Sequence, residues 1–383
     1  MINKDNKKRL PLQGVKVVDL TRVLSGPFCT ALLSDLGAEI IKIEPPTGDE
    51  YRHVGPFKDG ESALFTLINR NKKGAVADLK NAKHLSSVLD LARGADVFVE
   101  NFKPGVAERL GVGYEAIQAI NPDIVYASIS GFGQTGESSQ LPAYDLVVQA
   151  MSGLMSVTGD EEGAPTKVGE SIADLVAGLY ASWAILAALF DRQRSGQGAY
   201  LDVAMLDCLF SLMPTPVAQW MFSGQAPGRV GNRHPLSTPF GSFNAKDGLV
   251  VIAVLNNRQF TALCQAMGRP ELAQDSRFST DERRTQHEPV LRDALESWLA
   301  GHTTDSAIEI LAAANIPASP VLSMGQAIER AQSKERPLLQ TQHHSRLGNI
   351  PMIMQPVRSN AWAEQESRPA PTLGEHDSEL YGG

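Results

Sequence analysis

The fold is indicated most clearly by residues 14–46, GVKVVDLTRVLSGPFCTALLSDLGAEIIKIEPP. Residues 15–20 and 40–44 are short β-branched runs typical of buried strands, and residues 29–36 between them have the length of one crossover helix. Further strand-like runs follow at 76–79, 97–100 and 124–129. Strands that alternate with helices predict an α/β fold with a mainly parallel sheet, in a Rossmann-like layout.

Changes in composition divide the chain into three parts. Residues 1–223 hold the alternating pattern and are predicted to form the first part of a large Rossmann-like domain. A Gly- and Pro-rich linker then opens a smaller α/β domain at 224–325, which has its own strand at 249–255. Residues 326–383 are expected to return and complete the large domain, with a strand in 351–361.

The composition is that of an ordinary globular protein, with 43% hydrophobic and 20% charged residues and a net charge of −8 over 383 residues. An acidic chain favours a small-molecule partner over nucleic acid. The longest apolar stretch, 175–190, is short for a bilayer crossing and predicts a buried helix, so no membrane partner is expected.

Three scattered cysteines, Cys29, Cys208 and Cys264, fit a reducing compartment, and the polar N-terminus is not followed by an apolar signal region. A cytoplasmic location is therefore expected. Neither the cysteines nor the eight histidines have metal-ligand spacing, so no metal is predicted.

The segment KVGESIADLVAGLYA, residues 167–181, places one acidic residue, Asp174, at the mouth of an otherwise apolar helix. Ser171 and Asp174 have the spacing of a capping box, which would make Asp174 only a helix-start residue. Alternatively, the helix N-terminus would keep the Asp174 carboxylate deprotonated and ready to attack a carbonyl. The two interpretations are compatible, and both stay open.

Basic residues follow several predicted strands, where ligands of open α/β sheets bind. Each of them alone is equally well a solvated surface charge. The cluster NFKPG at 101–105 combines an aromatic, a cation and a glycine that could hold an adenine and its phosphates, or form a plain turn. The basic candidates are Lys42, Lys80, Lys103 and Arg109.

The familiar nucleotide and hydrolase motifs are missing from the sequence. No G-x-G-x-x-G opens a helix after the first strand, and neither a Walker A loop nor a G-x-S-x-G elbow is present. Nicotinamide or flavin oxidoreductases, kinases and serine hydrolases therefore lose their main support. The glycine-rich segment 131–136, GFGQTG, is either a phosphate cradle or a flexible active-site loop.

The chain resembles the class III CoA-transferases, the family of formyl-CoA transferase, carnitine CoA-transferase and α-methylacyl-CoA racemase. The resemblance rests on eight motifs, which occur in a fixed order across nearly the whole chain. The motifs are the stretch 14–46 quoted above, RNKKGAVADLK, ADVFVENFKPGVAERLG, IVYASISGFGQTG, PAYDLVVQAMSG, ADLVAGLYA, GNRHP and LGEH.

The resemblance implies an interlaced, ring-like homodimer and a nucleophilic aspartate that falls on Asp174. Tyr144 and Asp145 fall where a pair orients that nucleophile, and backbone N–H groups around Gly133 are expected to stabilise developing oxyanions. Coenzyme A is implied as substrate and carrier. The family positions that bind it fall on Val23, Ser25, Ala77, Lys80, Asn101, Phe102, Lys103 and Arg109, to which the strand-end argument adds Lys42.

The implied reaction is CoA transfer from an acyl-CoA to a carboxylic acid through an aspartyl anhydride and an aspartyl-CoA thioester. The alternatives are a formyl-CoA/oxalate-type transferase, a 2-methylacyl-CoA racemase and a non-catalytic CoA-binding protein. Racemases of this family use a histidine in a GHD motif that matches Ala143, Tyr144 and Asp145 here. Tyrosine, with an ordinary pKa of about 10, is a poor base at neutral pH.

Two differences from formyl-CoA transferase indicate the class of substrate. The glycine-rich loop of formyl-CoA transferase is replaced by residues 254–258, VLNNR, and that enzyme's small-domain insert is missing. The chain therefore looks closer to the short transferases of oxalate or of dicarboxylates, with succinyl-CoA or acetyl-CoA as donor. The candidate acid-binding residues are Arg233, His234, Asn256 and Arg258, whose cations would hold a second carboxylate or be plain surface charges.

Overall fold

The computed structural model describes residues 8–333, 336–364 and 367–381. Two compact units divide the chain, the first formed by Met1–Leu154, Lys167–Phe222 and Ala331–Gly383, the second by Met155–Thr166 and Ser223–Arg330. Met155–Thr166, which the sequence groups with the large domain, joins the second unit through hydrogen bonds. Among these, the Gly231 N–H donates to the Gly159 carbonyl at 3.0 Å.

Thirteen strands lie in the described residues. They are β1 (Lys16–Asp19), β2 (Glu39–Glu44), β3 (Phe57–Lys58), β4 (Glu61–Ser62), β5 (Lys72–Val76), β6 (Val97–Glu100), β7 (Val125–Ser130), β8 (Ala199–Ala204), β9 (Phe240–Asn244), β10 (Leu249–Ala253), β11 (Ala318–Pro320), β12 (Leu339–His344) and β13 (Gly348–Ile353).

Sixteen α-helices accompany them. They are α1 (Ser25–Asp35), α2 (Ala63–Ile68), α3 (Ala82–Arg93), α4 (Val106–Arg109), α5 (Tyr114–Ile120), α6 (Asp145–Met151), α7 (Leu154–Val157), α8 (Ile172–Ser195), α9 (Met205–Ser211), α10 (Pro214–Ser223), α11 (Asn257–Ala266), α12 (Asp281–Gln286), α13 (Glu288–Leu299), α14 (Thr304–Ala313), α15 (Met324–Ala331) and α16 (Asp377–Tyr381). Short 3-10 helices lie at Glu50–His53, Pro270–Gln274 and Ser276–Phe278.

The first unit is built on a six-stranded sheet in the order β5–β2–β1–β6–β7–β8, in which all neighbouring strands are parallel. The predicted α/β fold class is confirmed. The strand predicted at 76–79 differs from the observed one, since β5 covers Lys72–Val76. Lys72 enters the sheet because its buried ammonium is paired with Asp19 at 3.2 Å, a contact that local sequence does not reveal.

Apolar side chains cover both faces of this sheet. One cluster packs α1 and α8 against the strands, with Cys29 and Leu33 from α1 and Ala177 and Ile185 from α8. The other face is covered by residues of α3 and α5, among them Val88 and Ile117. Both faces of a parallel sheet are therefore buried, as crossover connections require.

By length and composition alone, α8 is the one helix in the described part of the chain that could span a membrane. A buried core helix passes the same test, and Ala173, Ala177, Ala181 and Ile185 of α8 are fully buried in the first unit. Gly178 faces α1, where an added Cβ would lie 2.5 Å from the Ser25 carbonyl oxygen. Only glycine allows the two helices to approach so closely.

The second unit has its own antiparallel sheet, in the order β11–β10–β9. Phe243, Val250, Ile252, Leu295 and Leu311 join its strands to α13 and α14 in a separate core. The return segment belongs to the first unit from Ala331 onwards, and within the described residues β12 and β13 pair only with each other. The expected strand in 351–361 is thus an antiparallel hairpin strand that begins at Gly348 and lies outside the large sheet.

Candidate active site

A tight turn at residues 21–25 joins β1 to α1 and forms one wall of the site. Gly26 is required there, since a Cβ at this position would lie 2.3 Å from the Thr21 side chain. Val23 has φ of 67°, in the left-handed region that a β-branched residue rarely adopts. Asn101, at the end of β6, accepts a hydrogen bond from the Arg22 N–H and donates one to the Arg22 carbonyl, both at 2.8 Å.

Asp174 lies in the first turn of α8, opposite this turn. The Ser171 side chain makes no capping hydrogen bond, so the predicted capping box does not form. The helix start is instead held from outside, because the Ala173 N–H donates to Asp145 Oδ1 at 2.8 Å. The other Asp145 oxygen accepts from the Gln149 amide at 2.6 Å.

Burial and the charge of Asp145 raise the pKa of Asp174 from 3.8 to about 7, while hydrogen bonds from the Ser25 hydroxyl and backbone N–H lower it. Burial and the charge of Asp145 therefore act against the expectation that the helix N-terminus keeps this carboxylate deprotonated. A helix terminus contributes about 0.3–1 kcal/mol, less than one pKa unit, and the burial and repulsion of the carboxylate outweigh it.

Asp174 lines two neighbouring cavities of the first unit. The first, of about 280 Å³, also has Val23, Ser25 and Met205 in its wall. The second, of about 440 Å³, also has Tyr51 and Lys167 in its wall. The nucleophile candidate thus lies in the walls of both cavities.

A third cavity, of about 750 Å³, lies at the carboxyl ends of β1, β2 and β5 and is lined by Ala77, Lys80 and Arg109. Arg22 and Phe102 line both this cavity and the first one, with the Arg22 guanidinium 5.3 Å from the Phe102 ring centroid. The two cavities therefore adjoin along these side chains. Sequence reasoning missed Arg22, although its place between Thr21 and Val23 was a usable signal.

The structure brings most of the predicted CoA-binding residues to these two cavities. Around the first cavity lie Val23, Ser25, Asn101, Phe102 and Lys103. Around the third lie Ala77, Lys80, Phe102 and Arg109.

Glu100 anchors the loop that carries Asn101, Phe102 and Lys103. Its carboxyl group accepts from the Phe102 N–H at 2.7 Å and from the Ser128 hydroxyl. Burial raises the pKa of Glu100 to about 7. This residue was not among the sequence candidates, because an acidic residue at a strand end gives no local sign of being buried.

Lys42 does not reach any of these cavities. Its side chain is 0% exposed, and its ammonium donates to Asp49 Oδ2 and to the Thr21 carbonyl, both at 2.8 Å. Lys42 was predicted to bind CoA because it lies near the end of a strand. Its side chain instead points into a buried polar network beneath the turn.

The glycine-rich loop after β7 is only partly at the site. Gly131 lines the first cavity, but Gly133 does not, and the neighbouring Gln134 N–H donates to Asp202 Oδ2 at 3.0 Å. The amide next to Gly133 is thus already bonded within the protein. Tyr144 borders both cavities around Asp174 and is 72% exposed.

The four candidate acid-binding residues lie in the second unit. Arg233 pairs with Glu161 at 3.2 Å, and the His234 ring stacks on Phe240 with centroids 5.0 Å apart. Asn256 caps α11 by accepting from the Gln259 N–H at 2.9 Å, and Arg258 is exposed. Within the described residues, no group of three or more His, Cys, Asp or Glu side chains could hold a metal ion.

The first unit thus combines an α/β fold with a buried carboxyl group at a helix start, beside a cleft lined by cations. The sequence profile of CoA-transferase family III matches residues 12–377, and the chain belongs to this family.

Relatives with assigned activities agree. The chain is 41% identical over 377 residues to acetyl-CoA:oxalate CoA-transferase of Acetobacter aceti, covering 98% of this chain and 96% of the relative. It is 38% identical over 368 residues to succinyl-CoA:glutarate CoA-transferase of Mus musculus, covering 96% and 84%. A solved CAIB/BAIF family protein from Brucella suis superposes with a TM-score of 0.85 at 34% identity, covering 98% and 99%.

Proposed function

We propose that the protein transfers CoA from succinyl-CoA or acetyl-CoA to a small dicarboxylic acid, with Asp174 as covalent nucleophile. One observation supports this most directly. The Asp174 carboxyl group lines a cavity that adjoins, along Arg22 and Phe102, the larger cavity holding Lys80 and Arg109. A CoA whose phosphates lie at these cations would bring its thioester towards Asp174.

The proposed chemistry needs no redox partner. The Asp174 carboxylate attacks the thioester carbonyl, the C–S bond breaks, and CoA leaves as thiolate from a mixed anhydride. The thiolate then attacks the aspartyl carbonyl, so the donor acid departs as carboxylate and an aspartyl-CoA thioester remains. The acceptor carboxylate reverses both steps and leaves as acyl-CoA. Ser25 lines the same cavity as Asp174, and its hydroxyl and N–H groups, which lower the pKa of Asp174, would orient the carboxylate.

The preference for a dicarboxylate draws on two observations. Relatives named for oxalate and glutarate transfer match nearly the whole chain. Arg258 of the second unit also offers an exposed guanidinium fork, which binds a second carboxylate bidentately. Arg233 would do the same by exchanging its present partner, Glu161, for the acid. His234 and Asn256 complete this proposed acid site.

A mass-spectrometric screen tests the proposal. Purified enzyme is incubated with acetyl-, formyl- or succinyl-CoA against oxalate, succinate, glutarate, malate, itaconate, formate and carnitine, and new acyl-CoAs are measured. Dicarboxylates should react fastest, and replacing Arg233 and Arg258 together should remove the preference. Faster transfer to formate or carnitine than to every diacid would refute it.

The two alternative activities have distinct signatures. A racemase would exchange the C2 hydrogen of 2-methylacyl-CoA for deuterium in heavy water, which we expect to be absent because Tyr144 stands where the family's histidine would be. A CoA-binding protein without activity would bind acyl-CoA tightly yet exchange no labelled acid.

We also infer a homodimer and a cytoplasmic location. Large apolar side chains of α8 and α10 are exposed in the single chain, including Trp183 at 65% and Phe222 at 92%, and a second copy would cover them. The free thiols of Cys29, Cys208 and Cys264 fit a reducing compartment.

A further inference from the structure

The strained turn at Val23 is held by a buried ion pair that no substrate can touch. Asp49 Oδ1 accepts from the Val23 N–H at 3.0 Å, and Asp49 Oδ2 pairs with the Lys42 ammonium at 2.8 Å. Lys42 also donates to the Thr21 carbonyl at 2.8 Å. One ion pair thus hydrogen-bonds the backbone on both sides of Arg22.

A left-handed conformation at a β-branched residue persists only where the surroundings impose it. Both side chains of the pair are 0% exposed, and neither lines any of the three cavities described above. The pair therefore has no direct route to substrate. Its other side-chain hydrogen bonds end on backbone atoms of Thr21, Val23 and Tyr51.

Two residues beyond Val23, Ser25 lines the same cavity as Asp174, and a Cβ on Gly178, one turn after Asp174, would lie 2.5 Å from the Ser25 carbonyl oxygen. The hydroxyl and N–H of Ser25 are donors that lower the pKa of Asp174. A shift of the turn would move both donors together. We propose that Lys42 and Asp49 are positioning residues that hold the 21–25 turn, and through Ser25 the Asp174 carboxylate, in the geometry needed for attack. The inference rests on the proposed role of Asp174.

Two charge-neutral double variants test it. Lys42→Met with Asp49→Ala removes the pair and the acceptor that the Val23 and Tyr51 N–H groups share, whereas Lys42→Met with Asp49→Asn keeps an amide oxygen there. Removing both partners leaves no unpaired buried charge, so both variants should fold. We expect the alanine variant to lose roughly ten- to a hundredfold in kcat with a smaller change in KM, and the asparagine variant to recover most of it. Equal kcat in the two variants would overturn the proposal.

Glycine at position 23 provides a rescue that a purely structural role would not give. Glycine adopts φ near 67° without strain, so the turn should need less support. Loss of the pair should therefore reduce kcat less in a Val23→Gly background than in the wild-type background. An undiminished loss in that background would count against positioning.

A readout without turnover separates this proposal from the function itself. The Asp174 carboxyl can be titrated by ¹³C NMR of labelled aspartate, assigned with Asp174→Asn. Weaker donation from Ser25 should move the Asp174 pKa above the wild-type value of about 7 in the alanine variant, and not in the asparagine variant. The same pKa in both variants would overturn positioning even in a protein that transfers no CoA.

The matched control is another buried pair of the first unit, Arg70 and Asp35, whose carboxylate accepts from Arg70 Nε at 3.0 Å. Neither residue lines the cavities around Asp174. Arg70→Met with Asp35→Asn should leave the kcat and the Asp174 titration unchanged. Equal losses in this control would show that any buried pair matters as much, and would refute a specific role for Lys42 and Asp49.

Discussion

At the scale of single residues, the chemistry depends on the ionisation of Asp174. Its pKa near 7 means that the attacking carboxylate forms only as the pH rises through neutrality. We expect kcat/KM to rise with pH along a limb of apparent pKa about 7. Asp145→Asn keeps the oxygen that caps Ala173 but removes the repelling charge, so the limb should move to lower pH. A rate that stays flat from pH 5 to 8 would contradict this.

The same raised pKa predicts a pH-dependent stability. A carboxyl group that is harder to ionise in the folded state costs nothing below its unfolded pKa of 3.8, and the cost grows until the pH exceeds about 7. Asp174→Asn should therefore be more stable than wild type at pH 8, by at most about 4 kcal/mol, and similar at pH 4. Thermal unfolding at the two pH values measures the difference. A constant difference would speak against the buried charge.

Lys103 at the first cavity and Lys80 and Arg109 at the third cavity should act on acyl-CoA binding alone. Replacing Lys80, Lys103 or Arg109 by methionine should raise the KM for acyl-CoA about tenfold with little change in kcat, since phosphate contacts persist from ground state to transition state. Lys83, an exposed lysine on α3 that lines neither of these two cavities, is the matched control. An unchanged KM at low salt removes that residue from the site.

At the scale of elements, the contact between α1 and α8 sets the geometry of the nucleophile. Gly178 lies one helical turn after Asp174, and a Cβ there would meet the Ser25 carbonyl at 2.5 Å. We expect Gly178→Ala to lower the melting temperature and kcat together, although alanine favours a helix. Ala187→Gly, on an exposed part of α8, should lower stability without affecting kcat. A more stable and fully active Gly178→Ala variant would contradict this role.

The elements also separate what the sequence could predict from what it could not. Runs such as VVD in β1 and VFVE in β6 predicted their strands because buried parallel strands require continuous β-branched or aromatic residues. The bounds of β5 and the role of Lys42 were not predicted correctly. Lys72 is buried because it pairs with Asp19, which is distant in sequence, and Lys42 is buried because it pairs with Asp49 beneath the turn. For the same reason, Asp145 as the cap of α8 was not foreseen from the spacing of Ser171 and Asp174.

At the scale of the whole molecule, the exposed apolar side chains predict self-association. Light scattering should give a dimer of the 383-residue chain at micromolar concentration. Replacing Trp183 and Phe190 of α8 by glutamate, both more than half exposed, should weaken it. A wild-type monomer that transfers CoA at full rate would exclude the dimer as a requirement for activity.

The most direct test of the account is covalent trapping at Asp174. Enzyme incubated with the acyl-CoA that it uses best is treated with hydroxylamine or borohydride, digested, and mapped by mass spectrometry. We predict modification of Asp174 that requires acyl-CoA, together with nearly complete loss of turnover in Asp174→Asn, because an amide is not an effective nucleophile. An unmodified Asp174 in an enzyme that is turning over, or near wild-type activity in the asparagine variant, would contradict the central claim.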